Sequence, residues 1–110
     1  MKYSLLLLLS LSFFIFSCSS DDDDPTPDPV TKVTYTKNIK TIIDGNCLTC
    51  HGAEVENGAS KSLTTYAEVK DASAGVIGKV ADGTMPAGGG SLTDAQKKAF
   101  ADWKKDGLLE

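Results

Sequence analysis

The sequence predicts an all-α fold of three to four short helices. Three observations support this: no segment alternates apolar and polar residues with period two, several capped stretches carry apolar residues at helical spacing, and the foldable part is short. The chain has 110 residues, of which the first thirty or so read as an address rather than a fold. A working domain of under about 80 residues remains, a size at which an apolar core alone is marginal and a disulfide, metal or cofactor usually supplements it.

Lys2 precedes an apolar run over residues 5–16, which has the length of a secretory core and is too short to span a bilayer. Residues 1–17 are therefore read as a lipoprotein signal peptide. A buried helix of a cytosolic protein is the weaker reading, because the run switches abruptly to Ser and Asp. The tetrapeptide Ile15-Phe16-Ser17-Cys18 resembles a bacterial lipobox, although that family prefers Leu in place of Ile15 and a small residue in place of Phe16. The resemblance implies lipidation of Cys18 and accounts for the odd member of three cysteines; the competing reading is plain secretion with Cys18 free.

Residues 18–31 hold Asp21, Asp22, Asp23 and Asp24, then Pro25, Pro27 and Pro29. Such a segment has nothing to bury and repels itself, so it is expected to be a disordered, solvated tether. The Ser-Asp run after Cys18 resembles lipoproteins of the Bacteroidota. That implies a Gram-negative cell envelope, with the chain attached through lipid to the outer membrane on its periplasmic or surface face. The net charge of −4 belongs to this N-terminal part, since from residue 30 onward ten lysines balance ten carboxylates. No basic field points to nucleic acid.

The domain is read over residues 32–110. Thr34 can cap a first helix in which Tyr35, Ile39, Ile42 and Ile43 form one apolar face, and Asp44-Gly45 is expected to end or bend it. Next comes Cys47-Leu48-Thr49-Cys50-His51. Cys-x-x-Cys-His is the attachment signature of haem c, in which two thiols add to the porphyrin vinyl groups and the adjoining imidazole reaches the iron from the same turn. A zinc site would need a fourth N or S ligand that the chain lacks near the motif. A thioredoxin-type pair would need the motif to open a helix after a strand. A Cys47–Cys50 disulfide closes too small a loop to stabilise much.

His51 is the single histidine, so two histidines cannot ligate one iron within the chain. Met1 leaves with the signal peptide, and Met85 is the remaining thioether, set in Asp82-Gly83-Thr84-Met85-Pro86-Ala87-Gly88-Gly89-Gly90. That breaker-rich loop is no apolar stripe, and Pro86 biases Met85 toward an extended backbone. Met85 is therefore expected as the second axial ligand, with an open position or a lysine as the competitors.

Thr65 and Glu68 form a capping-box pattern ahead of Tyr66 and Val69. Residues 75–80 add another turn or two, bringing Val76, Ile77 and Val80 toward the porphyrin, against the helix-weakening effect of nearby glycines. The last helix is capped by Thr93 with Gln96, carries Ala95, Ala99, Phe100 and Trp103 as its expected buried stripe, and stops at Gly107.

From residue 35 to 108 the chain resembles a class I, single-haem bacterial cytochrome c. The shared features are a helix, Cys-x-x-Cys-His-Gly, a Gly-Thr-Met-Pro loop and a terminal helix with an aromatic pair. The resemblance implies a cytochrome c fold around one covalently bound haem c, in which the first and last helices cross so that Tyr35 and Ile39 meet Phe100 and Trp103. It also implies that a carbonyl accepts a hydrogen bond from the proximal histidine. Members commonly supply this from a proline, but no proline stands between His51 and Met85, so a carbonyl within residues 57–63 is the expected substitute.

The function expected is electron transfer with His51 and Met85 retained on the iron, to and from redox protein partners in the cell envelope. No set of side chains suited to acid, base or nucleophilic work stands out, so the chain reads as a carrier and not an enzyme. The alternatives are a ligand sensor or peroxidase-like enzyme with Met85 displaced, and a surface lipoprotein without haem that binds a partner through its tether.

Overall fold

The structure, a computed structural model, describes residues 31–110; the expected signal peptide, Cys18 and all but the last residue of the expected tether lie outside the described residues. The first helix opens with Thr34 in extended conformation, its hydroxyl accepting from Lys37 N–H at 3.3 Å while Asn38 Oδ1 accepts from Thr34 N–H at 3.0 Å. Its first stretch, Tyr35–Ile39, is a wide π-helical turn in which Lys40 N–H reaches Tyr35 O, and it continues as α1 (Lys40–Asn46). The remaining helices are α2 (Leu48–His51), α3 (Tyr66–Asp71), α4 (Ser73–Asp82) and α5 (Asp94–Lys105). Among the described residues there are only two isolated β-bridges, Thr34 with Leu109 and His51 with Val55, so the all-α expectation holds.

The first helix ends at Asn46, just ahead of Cys47 as expected, and there the Asn46 side-chain amide donates to Ile42 O at 2.8 Å while Lys40 pairs with Asp44 one turn apart. Several local details differ from the sequence reading. The segment from Leu48 to His51 is itself a short helix, α2, which brings the number of α-helical segments to five among the described residues. Residues 73–82 form three turns rather than one or two, because burial of Val80 and packing of Val76 and Ile77 outweigh a cost of about 1 kcal/mol for each of Gly75 and Gly78. Gly83, at φ +77°, ends α4 in the left-handed conformation that glycine reaches without steric cost.

Both capping boxes form. Thr65 and Glu68 exchange bonds at the start of α3, as Thr93 and Gln96 do at the start of α5. Along α5, Phe100 and Trp103 are buried and Ala99 is half-buried, but Ala95 is exposed: it sits in the first turn, beyond the edge of the core.

The core gathers Tyr35, Ile39, Ile42 and Ile43 from the first helix, Val69, Val80, Phe100 and Trp103 from α3 to α5, and Leu63 and Leu92 from the connecting loops. The first and last helices pack together, and of the expected pairs Tyr35 meets Trp103 with ring centroids 6.3 Å apart; Tyr35 also meets Tyr66 at 5.4 Å, both tilted. After α5 the chain turns back at Gly107 (φ +94°) and runs beside the start of the first helix. There Leu109 O accepts from Tyr35 N–H and from Trp103 Nε1–H, each at 2.8 Å, and Glu110 O accepts from Thr36 N–H at 2.8 Å. These bonds supply acceptors for first-turn donors that no helix can satisfy internally. Tyr66 OH adds a 2.8 Å bond to Leu108 O, which ties α3 to the same segment.

Candidate functional site

The turn from α1 into α2 is built mainly by backbone bonds, with the Asn46 amide on Ile42 O beside them. Cys47 N–H donates to Ile43 O at 2.9 Å, and Cys50 and His51 N–H both reach Cys47 O, at 3.2 and 2.9 Å. Both thiols and the imidazole are thereby held in one helical segment of fixed pitch. Cys47 and Cys50 are free and half-buried, and burial pushes the Cys47 thiol above its ordinary pKa. Gly52 follows, where a Cβ would lie 3.0 Å from Leu48 O, a backbone contact that would have to give by a few tenths of an ångström.

His51 Nδ1 lies 2.7 Å from Lys61 O. A carbonyl has no proton to give, so Nδ1 carries the proton and donates it, which leaves Nε2 as the nitrogen not committed to this bond. Leu63 N–H returns a 2.8 Å bond to His51 O, with the Leu63 side chain buried below. The acceptor therefore falls within residues 57–63, as the lack of a proline there led us to expect. A tight turn with Asn57 at φ +51° and Gly58 at φ +80° brings this segment back toward α2, and Asn57 Nδ2–H points at Cys50 Sγ, 3.5 Å away.

Met85 follows α4 directly. Its N–H donates to Lys79 O at 3.1 Å, and Thr84 is pinned through its N–H and hydroxyl to Asp82 Oδ1 at 2.9 and 2.7 Å. Those bonds, the side-chain one foremost, hold the Asp82 carboxyl below its usual pKa. Met85 is half-buried.

Cys47, Cys50, His51 and Met85 all line one cavity of ≈ 1150 Å³. Its apolar wall includes Leu63, Val76, Val80 and Leu92, while Ile77 packs on the core instead of facing it, contrary to the sequence expectation. The volume exceeds the about 300–1,000 Å³ typical of small-molecule sites, which suits a large flat group. Two free thiols, an imidazole with an uncommitted nitrogen and a thioether on the wall of one apolar cavity match the donor set that a covalently attached iron porphyrin requires. Among the described residues, no cluster of three or more His, Cys, Asp or Glu side chains is placed to hold a bare metal ion.

Sequence reasoning did not single out the particular carbonyl of Lys61, nor Asn57, Asp71 and Lys79, which also line the cavity. A backbone acceptor has no residue-type signal; the Asn57-Gly58 turn was its visible trace.

A family model described as cytochrome C oxidase, cbb3-type, subunit III matches residues 35–103, from the first helix through Trp103. No curated protein and no solved structure gives a significant match to the chain.

Proposed function

The chain belongs to this family of c-type cytochrome domains, which bind haem c covalently and serve haem-based electron transfer, and from that premise we propose a membrane-tethered carrier with one haem and His/Met axial ligation. In this reading Cys47 and Cys50 hold the porphyrin through thioethers, and His51 and Met85 ligate the iron. Bound haem supplies one reversible electron between ferric and ferrous states. The chain's own residues do the rest. Lys61 O keeps the proton of His51 on Nδ1 so that Nε2 stays available as a donor. Leu63, Val76, Val80 and Leu92 give the cavity its apolar wall, and the bonds from Thr84 and Met85 to the end of α4 hold the thioether at that wall.

The observation that carries the reading is the cavity shared by Cys47, Cys50, His51 and Met85, with His51 Nδ1 already committed. A soft thioether ligand favours the ferrous state, and burial from water acts in the same sense. The partners proposed are redox proteins of the cell envelope. Lipid on Cys18 would tether the domain to the outer membrane.

The test is expression with haem-maturation machinery and absorption spectroscopy of the wild type and Met85→Ala. Wild type gives low-spin ferrous bands and the weak far-red ferric band of methionine ligation; Met85→Ala loses the far-red band. An unchanged spectrum in the variant removes Met85 as a ligand, and a wild type with no Soret absorption removes haem altogether. For the anchor, Cys18→Ser releases the protein from the membrane fraction, and continued retention overturns the lipidation.

A further inference from the structure

The segment that carries the His51 acceptor is tied to α2 at both ends, by Glu56 N–H on Cys50 O at 2.9 Å and by Leu63 N–H on His51 O at 2.8 Å, with Lys61 between them. Residues 57–61 are exposed or half-buried, the turn at Asn57 and Gly58 uses left-handed backbone, and no proline stiffens the stretch. At Lys61 itself the side chain reaches α3: Lys61 Nζ lies 3.4 Å from Asp71 Oδ2, and Thr64, three residues on, is bonded to Glu68 of the same helix. Asp71 is the last residue of α3, and α3 is firmly seated. Val69 is fully buried, the capping box closes its start, and Tyr66 OH is bonded to Leu108 O at 2.8 Å.

We propose that the Lys61–Asp71 ion pair is a positioning latch, which bolts the Lys61 carbonyl to α3 and so sets the hydrogen bond from His51 Nδ1. The latch rests on the reading of His51 as an iron ligand. Both latch side chains line the cavity at its solvent side, with 59% and 80% of their side-chain surface exposed. An exposed pair of this kind shifts a local equilibrium by only about 1.5- to 5-fold. That is too little to decide the fold, and enough to bias how closely the Lys61 carbonyl sits to His51.

The consequence is electronic. A carbonyl that accepts from Nδ1–H makes the imidazole a stronger donor, which favours ferric iron. Opening the latch weakens that bond, so the reduction potential rises whichever partner is removed. Through-space charge alone gives a different pattern: removing the Asp71 carboxylate raises the potential, whereas removing the Lys61 ammonium lowers it.

The test uses the haem-loaded full chain with Asp71→Asn, Lys61→Gln and the double variant, each of which keeps the Lys61 backbone carbonyl. The latch predicts that both single variants raise the potential, that the double variant shifts no further than the singles, and that the His51 Nδ1–H proton resonance moves toward that of a weaker hydrogen bond in all three. Added salt moves wild type toward the variants and leaves the double variant unmoved by this route. Opposite shifts in the single variants, with near cancellation in the double, overturn the proposal, as does an unmoved Nδ1–H resonance. If the ligation reading itself is at fault, wild type lacks a low-spin spectrum, whereas failure of the latch leaves that spectrum intact.

Discussion

Deletion of residues 108–110 removes the acceptors for Tyr35 N–H, Thr36 N–H, Trp103 Nε1–H and Tyr66 OH, all bonded at 2.8 Å. The four losses are not equal. Thr36 is exposed and Tyr66 half-buried, so water replaces the lost partner at little cost. Tyr35 and Trp103 are 5% and 0% exposed, and a buried donor left without a partner costs about 1–3 kcal/mol. The sum for those two is about 2–6 kcal/mol, against about 4–12 kcal/mol for a domain of roughly 80 residues at ordinary stability per residue. The assay is urea unfolding of the haem-loaded protein followed by circular dichroism. With a slope of about 1 kcal/mol per M for a domain this small, the midpoint falls by about 2 M or more. Trp103→Phe removes one of the two buried donors while Leu109 O keeps its bond from Tyr35, so it should lower stability by about 1–2 kcal/mol. A truncated chain whose midpoint stays within about 0.5 M of wild type would refute the reasoning, because the segment would then be no better an acceptor than water.

Other outcomes follow from the same structure. Glu68 accepts from Thr64 Oγ1 and from the N–H groups of Thr64 and Thr65, each at 2.9 Å, and these bonds, that from the Thr64 side chain first, depress its pKa. Its folded value thus lies below its unfolded one, so its contribution to stability is present above the ordinary glutamate range and lost as pH falls through the depressed value. Stability measured against pH should fall less steeply on acidification in Glu68→Gln than in wild type. Gly52→Ala forces a Cβ to 3.0 Å from Leu48 O, so the turn that holds His51 must shift; thermal unfolding should register about 1–3 kcal/mol of overpacking, with reduced haem loading. Thr93→Ala removes the cap hydroxyl that accepts from Gln96 N–H at 3.2 Å and should cost about 1 kcal/mol in the same assay.

The local rules carried far along this chain. Capping boxes at Thr65 and Thr93, the apolar spacing of Tyr35, Ile39, Ile42 and Ile43, and the motif ending at His51 are all contained within a few consecutive residues, where side-chain identity and helical pitch decide the outcome. That is why the all-α class, and the placing of Cys47, Cys50 and His51 together on one short turn, could be read from residue order. The extent of α4 was less legible. Two glycines argue against it locally, and only the packing of Val76, Ile77 and Val80 against other elements outweighs them. The exposure of Ala95 escaped for the same reason: periodicity places a residue on a face but does not say how far the neighbouring core extends along it.

What only the tertiary structure decided is the set of contacts made by backbone atoms and loops. The Lys61 carbonyl beneath His51, the reach of Lys61 to Asp71, and the carbonyls of Leu109 and Glu110 at the head of the first helix join residues 10 to 74 positions apart. A carbonyl is present at every residue, so the sequence marks none of them as an acceptor. Folding chooses among them by bringing one within bonding distance of a donor that burial has cut off from water.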